Sequence, residues 1–209
     1  MMAARIVPLA PDHAAGAARL HIAGQPGTFL TALGPNVLTA LYHSLPATRA
    51  GFGFAAVSDQ EEDSGTLLGF VSATTGVGKL FAEISTTGLL TLLPPLVGQL
   101  ARHPALIWRT VQTVAYPLLV GGGEQGPPPA ELLSIMVEPG RRSQGIGALL
   151  LAALVEACQE RAIPLLDVTV DTSNEGAQRF YTRHGFVHHH DFTLYGRRMA
   201  QYRLVIPLR

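Results

Sequence analysis

A single cysteine, Cys158, stands in the whole chain, so no intrachain disulfide can staple the fold, and a reducing compartment is the natural setting. Its place within an apolar helical stripe marks it as a small core residue rather than a nucleophile. Charge is sparse too: only 14% of residues are charged, and the fifteen basic and fifteen acidic side chains cancel. No global positive field exists to gather nucleic acid or an anionic membrane, so nucleic acid is not an expected partner and any anion site has to be local. Long apolar runs are also missing. Residues 1–16 are punctuated by Arg5, Pro8, Pro11, Asp12 and His13, unlike a secretory signal, and a cytoplasmic location is expected. Residues 89–120 are the greasiest stretch. They contain Pro94, Pro95, Gln99, Arg102, His103, Pro104 and Arg109, so no continuous segment is long enough to span a bilayer. A covered helical pair is expected there, with a homodimer contact as one way to cover it.

What is present is apolar content of 47% over 209 residues, enough to bury a core without disulfide or metal. One domain over residues 1–209 is expected, with an inserted segment at about residues 76–130. A strand is expected at residues 4–9 and a helix at 11–23, which the cluster Gly24-Gln25-Pro26-Gly27 breaks. After Gly34-Pro35-Asn36, Val37, Leu38, Leu41, Tyr42 and Leu45 recur on one helical face up to Pro46. Residues 52–57 and 66–75 read as strands joined by a solvated hairpin loop. The inserted segment reads as two or three helical runs broken by proline pairs, ending in a mobile loop at Gly121-Gly122-Gly123 and Pro127-Pro128-Pro129.

From residue 131 the order is sharper. Residues 131–138 read as an interior strand. Ile146, Leu149, Leu150, Ala153, Leu154 and Ala157 then form a helical stripe that stops before Pro164. Leu166, Val168 and Val170 alternate with Asp167, Thr169 and Asp171 as in a strand. Residues 174–184 return to helical spacing, with Gly185 placed for a left-handed cap. Two closing strands, 186–195 and 199–208, join through Gly196. The whole is an α/β pattern with a mixed sheet.

The turn from residue 137 to 147, Val-Glu-Pro-Gly-Arg-Arg-Ser-Gln-Gly-Ile-Gly, leads from a strand straight into a helix. A helix start offers unpaired N–H groups and a positive dipole end, which together hold phosphate. Gly145 and Gly147 remove side chains that would keep an oxygen away, and Arg141 and Arg142 add charge-assisted donors. The turn lacks the Gly-Lys-Ser/Thr of a P-loop, and Leu150 stands where a dinucleotide fingerprint needs a small residue.

Arg142, Gly145 and Gly147, after Val137 and Pro139, resemble the acyl-CoA-binding motif of the GNAT superfamily of N-acetyltransferases. A second similarity lies in Asn174-Glu175-Gly176-Ala177-Gln178-Arg179-Phe180-Tyr181 with Gly185-Phe186. The resemblance is strong over residues 131–206, while residues 4–75 fit only the order of elements. It implies a mixed, mostly antiparallel sheet flanked by helices, with a helical insertion between the third and fourth strands. It also implies acetyl-CoA as cosubstrate and no metal. The implied coenzyme contacts are Ile135, Met136, Val137, Arg141, Arg142, Ser143, Gln144, Gly145, Ile146, Gly147, Asn174, Ala177, Phe180 and Tyr181. Tyr181 is the implied acid for the departing thiolate, and the strand at 132–137 supplies an N–H for the oxyanion. Glu131 is the first candidate base and Glu83 the second. The expected acceptor is a small-molecule or peptide amine; a binding module without turnover is the rival. Bland roles stand beside these: Asn174 as a simple helix cap, Thr172 with Glu175 as a capping box, and Arg197 and Arg198 as solvated turn charges. The run His188-His189-His190-Asp191 is not read as a metal site, because adjacent strand residues face opposite ways.

Overall fold

A computed structural model describes residues 4–60, 65–87, 89–107, 129–194 and 196–208. The expected loop at 121–128, the insertion at 108–120 and part of the hairpin loop, 61–64, lie outside the described residues. Seven strands form one sheet in the order β1-β2-β3-β4-β5-β7-β6: β1 Ala4–Pro8, β2 Gly51–Ser58, β3 Leu67–Thr74, β4 Ala130–Val137, β5 Leu165–Asp171, β6 Val187–Leu194 and β7 Arg197–Val205. Every neighbouring pair is antiparallel except β4 with β5.

The helices are α1 Ala14–Gly24, α2 Phe29–Ala32, α3 Gly34–Ser44, α4 Val77–Thr87, α5 Leu89–Arg102, α6 Ile146–Glu160 and α7 Glu175–Arg183. Helices α4 and α5 are the helical insertion between the third and fourth strands. Helix α5 runs unbroken through Pro94 and Pro95, contrary to the expected interruption. It leans on α3, with Leu92 and Leu96 packed against Phe29, Leu33 and Val37, and this packing holds it together where two N–H bonds are missing. Among the described residues no single helix is long and apolar enough to cross a membrane.

Strand β3 is buried along its whole length, so it is the spine between two cores. On one face α6 lays Ile146, Leu150, Leu151, Leu154 and Cys158 against Val71, Leu132, Val168 and Val170. Leu149, counted in the expected stripe, is 47% exposed. The buried row advances by four residues from Ile146, which centres the stripe nearer Leu151 and leaves Leu149 on the flank. Burial pushes the Cys158 thiol up to about 11, so it is an inert core group. On the other face α1 and α3 cover β1 to β4 through Leu20, Leu38, Tyr42, Phe70 and Met136.

A polar knot lies in that second core. His21 Nδ1 is 2.7 Å from the Tyr42 hydroxyl, which donates to Ser134 Oγ at 3.3 Å. His21 Nε2 is buried without a hydrogen-bond partner, as is the hydroxyl of Ser72, the residue opposite Ser134. A ring that donates from Nδ1 to Tyr42 leaves Nε2 as a bare lone pair, the less costly orphan.

Burial pulls the His21 pKa down to about 4 from 6.5. Because the folded value is the lower one, protonation favours the unfolded chain: stability is complete above pH 6.5 and is lost as pH falls towards 4. The loss attributable to this group is on the order of 3 kcal/mol. His21→Gln should therefore shrink the difference in unfolding free energy between pH 7 and pH 4 by about that amount. Urea denaturation of both proteins at the two pH values measures it; equal differences would refute the assignment.

Candidate active site

The parallel pair β4–β5 sets the geometry. It contains only three register pairs, Ala130 with Leu166, Glu131 with Asp167 and Leu132 with Val168. Strand β5 stays paired to β7 along all seven residues. Strand β4 meanwhile follows β3 past a register shift that leaves Leu133 as an extra residue. The bulge turns Leu133 and Ser134 to the α1 face together, whereas Ile135 and Val137 return to the α6 face. The two strands therefore part beyond Leu132.

Alternation of the ladders shows which peptide groups line the gap. The Glu138 N–H donates to Leu68 O, so the residues of β4 bonded to β3 are Ser134 and Met136, and the peptide groups of Ile135 and Val137 point towards β5. The bond from Thr172 N to Arg198 O likewise commits Val168 and Val170 to β7 and turns the groups of Thr169 towards β4. The gap is thus walled by main-chain donors and acceptors without a strand partner, of which Val137 O takes a long bond from Arg142 Nε.

At its open end stands the turn into α6. Ser143 (φ 60°) and Gly145 (φ 86°) are both left-handed. Gly145 is the N-cap, no side chain caps α6, and the first ladder bond here is Leu149 N to Gly145 O. The N–H groups of Ile146, Gly147 and Ala148 accordingly lack an intrahelical acceptor. Arg142, Ser143, Gln144 and Gly145 are exposed around them and Arg141 is half-buried. The Arg142 Nε reaches only Val137 O, at 3.4 Å, so its guanidinium is otherwise uncommitted among the described residues. A Cβ on Gly147 would lie 3.4 Å from the Phe180 ring, so this glycine also lets α7 approach α6.

Sequence reading missed one part of the turn's support. Arg19 on α1 grips both oxygens of Glu138 at 3.1 Å and ties the divergent N-terminal half to the strand end before the turn. The two residues lie 119 positions apart, and nothing local in the sequence pairs them.

Asn174 caps α7, its Oδ1 accepting from Ala177 N at 3.0 Å, so the capping-box alternative with Thr172 is not used; Thr172 instead donates to Arg198 O. Tyr181 is 5% exposed and packs edge-on to Phe180 and Phe186, on the α6 face. Burial raises its pKa, so the phenol stays protonated at neutral pH. Phe180 is the half-buried neighbour, stacked near His184.

The two candidate bases separate cleanly. Glu83 Oε2 accepts from the N–H groups of Arg49 and Ala50 at 2.8 and 3.0 Å, a structural task at the entry to β2. Glu131 lies on the α1 face, between Ala130 and Leu132, whose side chains enter the α6 core. Burial, and then the charge of Asp167, push its carboxyl up to about 7. Arg197, expected to be solvated, pairs with Asp171 at 2.8 Å. Among the described residues no group of three or more His, Cys, Asp or Glu side chains could hold a metal ion.

Residues 101–186 match the model of the acetyltransferase (GNAT) family. The similarity to that family thus rests on the stretch that holds β4, the turn, α6, β5 and α7. The chain's fold is similar to that of Arabidopsis thaliana NAA60 in complex with acetyl-CoA, at a TM-score of 0.62 and 16% identity over 97% of this chain and 98% of that one. NAA60 in complex with a bisubstrate analogue gives 0.61 and 16%, over 97% of each chain. Ard1 from Thermoplasma volcanium gives 0.60 and 14%, over 98% of this chain and 99% of that one. At such identities the likeness shows the fold. No curated protein sequence matches the chain.

The raised Glu131 carboxyl carries a signature in stability. A folded pKa above the ordinary carboxylate value means that ionisation opposes folding as pH rises from 4.5 towards 7. Glu131→Gln should leave stability at pH 4 nearly unchanged and raise it at pH 8 by about 1–3 kcal/mol. Thermal or urea unfolding at both pH values reads this directly; a variant destabilised at pH 8 would contradict it.

Proposed function

We propose that this chain transfers an acetyl group from acetyl-CoA to a primary amine of a small-molecule or peptide acceptor, by direct attack. The observation that carries the reading is the placement of Glu131 and Tyr181. They lie on opposite faces of the sheet, Glu131 on β4 and Tyr181 on α7 in the α6-face core, and the β4–β5 gap opens in the sheet between those faces. A thioester threaded through the gap has a proton acceptor on one side and a proton donor on the other.

The residues fit the coenzyme. A pantetheine arm is an extended chain of amides, and the groups of Ile135, Val137 and Thr169 can bond it as a strand would. Its diphosphate suits the uncapped start of α6, where the dipole and the N–H groups of residues 146–148 favour negative charge, with Arg141 and Arg142 beside them. NAA60, which shares the fold, is known with acetyl-CoA and with a bisubstrate analogue.

In the reaction Glu131 takes a proton from the acceptor ammonium. The freed nitrogen lone pair attacks the carbonyl carbon, and the N–H of Ile135 holds the oxygen as charge develops there. The C–S bond breaks, the sulfur leaves with the phenolic proton of Tyr181, and the nitrogen gives up its second proton, which reaches the phenolate through solvent. The proton on Glu131 is released to solvent, which restores both groups. Asn174, whose oxygen is engaged by Ala177, offers its amide hydrogens to the arm.

Acetyl-CoA with a broad amine panel, read by free thiol, tests the proposal. Acceptor-dependent thiol release is expected; CoA binding without release for any amine would make the chain a binding module. With a responsive acceptor, Tyr181→Phe should lower kcat by about 10²-fold and leave CoA affinity unaltered. An unchanged kcat would remove Tyr181 from the acid role. Gly145→Ala, which forces a side chain into a left-handed residue, should weaken CoA binding by about tenfold in calorimetry.

A further inference from the structure

Glu131 has a carboxylate beside it at the closed end of the gap. The parallel register sets Asp167 next to Glu131. Alternation turns Asp167 to the same face, because Leu166 and Val168 on either side of it both enter the α6 core. Neighbouring strands are about 4.8 Å apart, so the two acids share one local field.

Their surroundings differ. Asp167 is buried and fixed at both oxygens: Arg203 Nε donates to Oδ1 at 2.7 Å, Arg203 Nη2 donates to Oδ2 at 2.8 Å, and Gln201 Nε2 donates to Oδ2 at 2.8 Å. A carboxylate held this way, with donors on both oxygens, cannot swing aside. Glu131 has the uncharged Thr74 opposite it on β3. Among the described residues, the other charged groups of the helices on this face are directed elsewhere. On α1, His21 faces Tyr42 and Ser134, and Arg19 holds Glu138. On α4, Glu83 holds the amides of Arg49 and Ala50, while Lys79 on α4 and Arg102 on α5 are exposed.

We infer that Asp167, anchored by Arg203 and Gln201, is a positioning residue for Glu131: a carboxylate fixed beside the base on the next strand, which governs how firmly the base holds a proton. Burial alone would raise the proton affinity of Glu131, and a like charge on the next strand raises it further. The arrangement suits an amine acceptor, since a base that ionises near neutrality both accepts the ammonium proton and releases it to solvent afterwards. Strand β7 thereby joins the catalytic half of the sheet, since its Arg203 and Gln201 hold the charge in place.

This inference rests on the reading of Glu131 as the base, and it can be tested apart from turnover. The side-chain carboxyl of Glu131 is followed by 13C NMR across pH 3 to 9 (~1-unit steps, refined near the midpoint), with Glu131→Gln assigning the signal. The wild-type midpoint should lie near 7. Asp167→Asn should lower it by about one unit, a roughly tenfold weaker hold on the proton. Because that variant leaves Arg203 without its partner, Asp167→Asn combined with Arg203→Gln removes both charges and should also lower the midpoint. An ordinary carboxylate midpoint in the wild type, or an unmoved midpoint in both variants, overturns the inference. Should the midpoint shift as expected while no amine is acetylated, the transfer reading fails and the pairing of Asp167 with Glu131 stands.

Discussion

The architecture turns on an interrupted ladder. Parallel strands β4 and β5 pair for three residues and then separate, because each is committed elsewhere: β5 to β7 along its length, β4 to β3 around the bulge at Leu133. A sheet interior normally satisfies every peptide group within itself. Here a row of them is left without a strand partner, in a place that is otherwise the centre of the sheet. The buried spine β3 and the two cores on its faces keep the strands from closing the gap.

On the proposed function, that opening divides the chemistry between two faces. The α6 face supplies the uncapped helix start and the protonated phenol of Tyr181, and the α1 face supplies the carboxylate of Glu131. The bulge assists by placing two consecutive side chains, Leu133 and Ser134, on the α1 face, where Ser134 meets Tyr42 and His21. A buried histidine with one orphan nitrogen is a costly core element, and its position directly beneath the bulge fits a role in holding β4 to its bent course.

Much of this could be read from the residues. The spacing of Arg142, Gly145 and Gly147 after a strand, and the helical run from Asn174 to Tyr181, are local patterns whose physics is local: helix starts, left-handed glycines, alternating strands. The succession of strands and helices along the C-terminal half followed from the same periodicities. Contacts between distant segments could not be read. Arg19 with Glu138, the knot of His21, Tyr42 and Ser134, and the clamp of Arg203 on Asp167 join segments that no short window contains. Burial was equally hidden: Glu83 and Glu131 look alike in sequence, and only packing ties the first to backbone amides and sets the second beside Asp167. The unbroken course of α5 through two prolines belongs to the same class, since α3 supplies from outside what the helix lacks within.

Asn174 carries a consequence of its own. Its oxygen accepts from the Ala177 N–H, which fixes the amide and leaves its two hydrogens as donors. A group lying against those hydrogens is favoured when it offers a carbonyl or similar oxygen. On the proposed function, these donors and the positive, uncapped start of α6 give the gap a direction, so that a thread with one charged end lies in it in a single sense.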